Sequence, residues 1–357
     1  MGLRATPTRD QWRRTLRPVV AAERRQGIGS LRPRRLVAGG PFAVRGDLEQ
    51  LRPLFHGLGG RDRTYFVDDQ VTVWSRTRAR LVRIGKFDVD AVTRLRAFYP
   101  QRGLALRLQG AGEGENSGVS RELTARRTVA EHAPYLAPQL LSHGAFDVAG
   151  EPVAYLFEEL IEARQLRNRA EVGERIGEVA ELLTDLHTSV GVASEPVERV
   201  VRRDLPQLWT EAVAEHGIDP STDDAVQALF ARNERLEVSI SHGDLVASNI
   251  LVTGDDRLVL VDWEFSRTQP IAFDLAKPLL QAADPEAALE RLRHAVAPTM
   301  PASSASFTLE EQLTIAVARA LSGSARKRAK AEKAGRLDAW AEDARRRREL
   351  LALLLDR

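Results

Sequence analysis

The stretch from Ser239 to Ser266, SISHGDLVASNILVTGDDRLVLVDWEFS, places polar side chains at the ends of two apolar runs. NILVT and RLVLVDW are predicted strands, and TGDDR supplies the turn between them. Asn249 begins the first strand and Asp262 ends the second, so an antiparallel hairpin would bring them side by side. Asp244 lies in the loop just before, at the same edge. The spacing therefore predicts three oxygen-bearing side chains in one corner.

Oxygen ligands of this kind favour a hard cation such as Mg²⁺, which shares one or two carboxylates with nucleotide phosphates. An Asn and an Asp on the metal, with a separate Asp to orient an attacking hydroxyl, is the arrangement that phosphoryl transfer requires. Each residue alone is more often a capped turn or a solvated strand end. The joint spacing favours the functional interpretation over an ordinary hairpin with polar ends.

Composition limits the classes of protein that fit. The chain has 357 residues, 43% of them hydrophobic, and 52 Lys and Arg against 50 Asp and Glu, which argues against a globally basic nucleic-acid binder. The lack of cysteine removes disulfides, thiolate metal sites and Cys nucleophiles. No secretory signal and no membrane-spanning apolar run are visible. We expect a cytoplasmic protein with no membrane partner.

The order of the predicted elements indicates two lobes. A β-rich half with one helix precedes a helical half, and ligands commonly bind in the cleft of such a fold. Predicted strands are 64–67, 71–75, 80–85, 104–109, 138–146 and 151–160. Predicted helices are 8–25, 47–54, 120–133, 171–190, 205–216 and 222–234, with a helix-rich tail to 357.

The motifs HGDLVASN and VDWEFS resemble the catalytic loop and metal motif of the aminoglycoside phosphotransferase and choline kinase-like family, relatives of protein kinases. The resemblance covers roughly 64–280. It implies an α+β, bilobal, protein-kinase-like fold with a β-rich N-lobe and a larger helical C-lobe. The expected division is an N-terminal extension at 1–62, an N-lobe at 63–159, and a C-lobe at 160–357.

The resemblance also implies roles for single residues. Asp244 would be the catalytic Asp that accepts or orients the substrate hydroxyl, and His242 would organise the catalytic loop beside it. Asn249 and Asp262 would hold Mg²⁺. Asp274, in FDLAK, matches a family aspartate that supports the loop.

A kinase-like N-lobe needs a cation on a strand for the nucleotide phosphates and a Glu on the following helix to steady it. Arg107 in LALRLQ and Glu122 in SRELTARR have that spacing, although Arg stands where Lys is usual. The alternative for Arg107 is a strand residue in a surface ion pair. Lys86 is a rival cation, but it lies far from Glu122 in sequence. No G-x-G-x-x-G precedes Arg107, so the nucleotide loop stays unassigned.

The segment VAYLFEELIEARQL resembles the family's hinge, where backbone groups read the purine edge. Glu159, Leu160 and Ile161 would form it, and the alternative is a buried strand that runs into a loop. His187, in LLTDLHTSV, is expected to be structural.

The resulting hypothesis is a kinase that uses Mg²⁺ and ATP or GTP to phosphorylate a hydroxyl on a small antibiotic or metabolite. A catalytically inactive kinase-fold nucleotide-binding or scaffold protein is the alternative. A nucleic-acid binder that uses the basic tail is a minor third hypothesis. The acidic stretch at 195–238 would suit a cationic acceptor, or it consists of solvated helix faces.

Overall fold

The computed structural model describes strands at 64–67, 72–75, 95–99 and 104–110 and most of the chain from 118 to 356. Gaps fall at 149–150, 201–203, 233, 297–306, 324–327, 330 and 333–334. The helices predicted at 8–25 and 47–54, the strand predicted at 80–85, and Lys86 lie outside the described residues.

The chain divides into two compact units. The sheet unit contains the described residues up to Gln165 together with Ser248–Phe265. The helical unit contains Leu166–Ala247 and the described residues from Ser266 onward. The predicted domain boundaries after residues 62 and 159 stay a prediction.

The main sheet of the sheet unit has six antiparallel strands. They are β1 (Thr64–Val67), β2 (Thr72–Ser75), β3 (Leu95–Tyr99), β4 (Leu104–Gly110), β5 (Leu140–Val148) and β6 (Glu151–Glu159). Their order is β1-β2-β3-β4-β6-β5, so β4 is an inner strand. Arg107 lies opposite Arg96 of β3 and Leu156 of β6. Arg107, the predicted phosphate-binding cation, therefore lies on an inner strand that is paired on both sides.

Helix α1 (Gly118–His132) carries charged residues on its buried face. Ala125 and Val129 are buried, and Glu122 and Arg126, at the same helical spacing, are each only 2% exposed. A buried charge is costly unless it is paired and hydrogen-bonded. The buried charges of Glu122 and Arg126 therefore require oppositely charged partners among the residues that pack against α1.

The predicted hairpin is confirmed. Strand β7 (Ala163–Gln165), β10 (Ile250–Thr253) and β11 (Leu258–Leu260) form a second sheet of the sheet unit, in the order β11-β10-β7. Ile250 pairs with Leu260, at the end of the hairpin away from the turn. In the turn, Asp256 has φ of 65°, a left-handed conformation that Asp tolerates better than most residues.

The helical unit contains a long amphipathic helix with others around it. They are α2 (Arg169–Val190), α3 (Val197–Val200), α4 (Leu205–His216), α5 (Pro220–Phe230), α6 (Ala276–Gln281), α7 (Pro285–Val296), α8 (Leu309–Ser322) and α9 (Leu337–Leu355). The buried stripe of α2 follows the helical period and includes Ile176, Val179, Leu183 and Leu186. No helix among the described residues is long and apolar enough to cross a bilayer.

A small sheet of the helical unit leads into the predicted catalytic loop. Strand β8 (Ala193–Pro196), β9 (Arg235–Ser241) and β12 (Arg267–Pro270) pair in the order β12-β9-β8. Strand β9 was not predicted from the sequence, and it ends at the residue before His242. Its pairing on both sides fixes where the loop begins.

Candidate active site

Arg107 is the centre of a buried ionic group in the sheet unit. Its Nη1 lies 2.7 Å from Glu122 Oε1 and 2.9 Å from Asp262 Oδ1, and its Nε lies 3.3 Å from Glu158 Oε1. The Arg107 side chain is 9% exposed. The surface ion pair considered for Arg107 is therefore wrong, since the side chain is buried among three carboxylates.

Burial and charge act in opposite directions on Arg107. Burial lowers the pKa of its guanidinium, but the carboxylates of Glu122, Glu158, Asp262 and Glu264 together raise that pKa well above the ordinary value. The guanidinium therefore stays charged. A buried pair that loses one partner leaves an uncompensated charge, which makes the shared guanidinium of Arg107 costly to remove.

Glu158 extends the group to a second guanidinium. Its other oxygen, Oε2, lies 3.3 Å from Arg126 Nη2, and Arg126 also donates to the carbonyl of Pro138. Burial lowers the pKa of Arg126, although Glu158 and Glu122 oppose that shift. Among the described residues, the group thus combines four carboxylates with two guanidinium groups. Sequence reasoning missed Glu158, Glu264 and Arg126, although α1 signalled Arg126 by placing a charge on its buried face.

The hairpin aligns the two predicted metal ligands. The backbone N–H of Val261 donates to the carbonyl of Asn249 over 3.0 Å. Asp262 therefore lies one position beyond the residue that is hydrogen-bonded to Asn249. Asn249 is buried, and Gln165 Nε2 donates to the carbonyl of Ser248 beside it. Asp262 has φ of 75°, and left-handed backbone at a non-glycine residue is typical of functional sites.

Among the described residues there is no cluster of three or more His, Cys, Asp or Glu side chains arranged to hold a metal ion. A pair such as Asn249 and Asp262 would need phosphate or water oxygens to complete a coordination shell.

The predicted catalytic loop belongs to the helical unit, and Asp274 holds its backbone. The N–H groups of His242 and Gly243 donate to Asp274 Oδ2 over 2.5 Å and Oδ1 over 2.8 Å. Gly243 has φ of 76°, a conformation that favours glycine. His242 is fully buried, which suits the expected role in organising the loop. Asp274 supports the loop as the sequence predicted.

Two further residues contact the loop. Lys277 Nζ lies 2.6 Å from Asp244 Oδ1 and 3.3 Å from the carbonyl of Gly243. The N–H of Ala247 donates to Gln281 Oε1 over 2.8 Å. Sequence reasoning missed both Lys277 and Gln281. Lys277 and Gln281 lie four residues apart on one face of α6, and Asp274 lies in the 3₁₀ turn just before that helix.

The sequence-predicted residues thus fall into two sets. The structure brings Arg107, Glu122 and Asp262 into direct contact within the sheet unit, with Asn249 at the adjoining strand end, whereas Asp244 and His242 belong to the helical unit.

The predicted hinge also lies in the sheet unit. Glu159 ends β6, and its N–H already donates to the carbonyl of Gln139 over 2.9 Å. Ile161 is half-buried between β6 and β7. Their role toward a nucleotide stays a prediction.

Comparison with known proteins identifies the chain. The model of the phosphotransferase enzyme family matches residues 99–307, which is more than half of the chain. None of the curated proteins compared with the chain matches it.

Several solved kinase structures are similar to the chain. A glucosamine kinase is 14% identical with a TM-score of 0.51, covering 81% of this chain and 80% of that one. An aminoglycoside phosphotransferase from Alicyclobacillus acidocaldarius is 15% identical with a TM-score of 0.47, covering 83% and 92%. The choline kinase LicA from Streptococcus pneumoniae is 16% identical with a TM-score of 0.45, covering 83% and 96%.

The fold is therefore the predicted α+β kinase-like fold, with a sheet-rich part and a helical part. The chain belongs to the phosphotransferase enzyme family, as the motifs indicated. Its predicted enzyme class, a phosphotransferase with an alcohol group as acceptor, is confirmed, and the chain is a small-molecule kinase.

Proposed function

We propose that this kinase uses Mg²⁺ and a nucleoside triphosphate, ATP or GTP, to phosphorylate a hydroxyl of a small antibiotic or metabolite. The observation that carries the proposal is the contact of Arg107 with both Glu122 and Asp262. These residues were expected, from the resemblance alone, to hold the phosphates and the metal. Their meeting in one buried group gives that expectation a physical basis.

The donor set fits Mg²⁺. Asn249 and Asp262 offer an amide and a carboxylate oxygen, and Asp262 belongs to a buried group rich in carboxylates. Mg²⁺ prefers such oxygen ligands together with phosphates and waters. When bound, the ion would neutralise charge on the phosphates during transfer.

Arg107 suits the phosphate-binding role in spite of the usual Lys. A guanidinium is planar, stays charged, and can contact a carboxylate and a phosphate in the same plane. In this assignment Glu122 and Glu158 hold the guanidinium in place by two edges. The backbone at Glu159 and Ile161 would read the purine edge, which leaves the choice between ATP and GTP to experiment.

Asp244 is the group assigned to the acceptor. Its carboxylate orients the hydroxyl and accepts its proton as the new O–P bond forms and the nucleoside diphosphate leaves. Positioning and charge contribute most of the catalysis of such reactions, so a rigid loop matters. Asp274 supplies that rigidity through its two backbone contacts.

The test is nucleotide release by the full-length chain across a library of hydroxyl compounds. We expect at least one compound to stimulate ADP or GDP release, and we expect chelation of Mg²⁺ to abolish it. An alcohol-independent signal, or release that persists fully in excess chelator, would contradict the proposal. Asp338→Ala, which alters an exposed residue of α9, serves as the matched control variant and keeps wild-type rates.

A further inference from the structure

Lys277 contacts the loop residue to which the chemistry is assigned. Its ammonium binds Asp244 Oδ1 at 2.6 Å and the carbonyl of Gly243 at 3.3 Å. Asp274, three residues earlier, and Gln281, four residues later, bind the same loop. Lys277 and Gln281 lie on one face of α6, and Asp274 lies in the 3₁₀ turn just before that helix. Lys277 is the member of that face that reaches the Asp244 carboxylate itself.

We propose that Lys277 is a positioning residue that fixes the Asp244 carboxylate for the acceptor hydroxyl. The proposal rests on the proposed function of Asp244. With Oδ1 held by the ammonium and the ammonium held by the Gly243 carbonyl, rotation of the carboxylate is restricted. A base that is already oriented loses less entropy at the moment of transfer.

The ion pair between Lys277 and Asp244 contributes little to the stability of the fold. The side chains of Lys277 and Asp244 are 44% and 37% exposed, and ion pairs in such positions contribute at most about 1 kcal/mol. The same exposure leaves the pair open to a substrate. The effect of Lys277 is therefore expected on the reaction rather than on folding.

The choice of lysine is a second, independent observation. The chain contains five lysines among its 52 basic residues, and no other lysine lies between Lys86 and Lys327. Lysine therefore stands at 277 against a strong arginine bias. A lysine ammonium is a compact point charge with three donors, whereas arginine is a rigid planar fork. The compact group can hold a carboxylate oxygen and a backbone carbonyl from the same loop.

Phosphoryl transfer to the acceptor balances without any change in the protonation of Lys277. The acceptor oxygen forms a bond to the γ-phosphorus, and the bond from that phosphorus to the bridging oxygen breaks. The hydroxyl proton passes to Asp244 and then to solvent, and the nucleoside diphosphate leaves. Lys277 keeps its three protons throughout.

The experiment compares Lys277→Met and Lys277→Arg with wild type. The probes are MgATP with the acceptor found in the hydroxyl screen and MgATP with water as acceptor. We expect kcat to fall by about 10- to 100-fold in Lys277→Met, because small misplacement of a reacting group has costs of this order. We expect KM values within about threefold of wild type and an unchanged melting temperature. Lys277→Arg restores part of kcat, since it keeps the charge.

A second measurement separates positioning from a merely structural role. A residue that acts through Asp244 has no further effect once that carboxylate is absent. In the Asp244→Ala background, Lys277→Met should therefore leave the residual rate unchanged. Arg345→Met, which removes an exposed ion pair of α9 with Glu342, is the matched control and keeps wild-type kcat.

The two possible failures are distinguishable. If wild type transfers no phosphoryl group to any acceptor or to water, the proposed function is wrong, and this inference is overturned with it. If wild type turns over and Lys277→Met has the same kcat, only the inference on Lys277 is wrong. An undiminished effect of Lys277→Met in the Asp244→Ala background also overturns it.

Discussion

Arg107 Nη1 lies 2.9 Å from Asp262 Oδ1, although 155 positions separate the two residues in sequence. The same nitrogen lies 2.7 Å from Glu122 Oε1. The proposed phosphate-binding cation, its helix partner and a proposed metal ligand thus form one buried group of the sheet unit. The contacts that stabilise the sheet unit therefore also hold in place the residues that are proposed to bind the phosphates and the metal.

Loss of Arg107 should destabilise the chain strongly. Arg107→Met leaves Glu122, Glu158 and Asp262 without their shared cation, and removing one partner from a buried ion pair costs about 3–5 kcal/mol. Urea unfolding measures the free energy directly. Arg257→Met removes an exposed pair with Asp255 and is the matched control. Equal losses in the two variants would show that the buried group is not what stabilises the unit.

Asp262→Asn should separate the metal role from the backbone role. Asn tolerates the positive φ of Asp262, and Glu122 and Glu158 still pair with Arg107 after the substitution. We expect a folded protein of similar melting temperature whose stabilisation by ATP no longer increases with Mg²⁺. Asp262→Ala should lose an additional ~1 kcal/mol or more of stability from strain. A wild-type response to Mg²⁺ in Asp262→Asn would exclude Asp262 as a ligand.

Asp274 should be essential to the loop. Asp274→Ala removes the two charge-assisted bonds that its carboxylate accepts from the N–H groups of His242 and Gly243, and each such bond contributes about 1.5–3 kcal/mol. Asp274→Asn keeps one acceptor oxygen and should lie between wild type and Asp274→Ala in both unfolding free energy and kcat. Unchanged stability in Asp274→Ala, measured beside the Asp338→Ala control, would contradict this account of the loop.

His187 should make stability depend on pH. Burial lowers the pKa of its imidazole, against the opposing influence of Asp274 and the contact of Nε2 with the Ile240 carbonyl, 3.0 Å away. Below about pH 6.5 the unfolded chain therefore takes up a proton that the folded chain does not, and this group costs up to about 1.4 kcal/mol of stability per pH unit. The loss begins at the unfolded pKa and ends at the lowered folded pKa. His187→Gln should flatten the unfolding free energy between pH 7.5 and 5.5, and an equal slope in both proteins would rule out this role.

The sequence predicted the hairpin for a clear reason. Asn249 and Asp262 are separated by one turn, so local strand pairing is enough to bring them together. The contact of Arg107 with Glu122 was expected from the family resemblance, and these residues lie on consecutive elements, β4 and α1. In each case short-range geometry determines the outcome.

Other contacts depend on tertiary packing between elements, which no local sequence pattern predicts. Glu158 reaches Arg107 because β6 pairs with β4, and its second oxygen reaches Arg126 only because α1 turns a charge inward. Strand β9 did have a local signal, since Leu236, Val238 and Ile240 alternate with polar residues. Lys277 had none, since one basic residue after FDLA is ordinary until its contact with Asp244 is known.

The most direct test of the account is transfer of labelled γ-phosphate from MgATP to the identified acceptor in a single turnover. Wild type should form labelled product. Asp244→Asn should bind MgATP as tightly as wild type yet form product at least about 100-fold more slowly, because the loop keeps its geometry without its base. A wild-type rate in Asp244→Asn would contradict the assignment of Asp244, and with it the proposed mechanism.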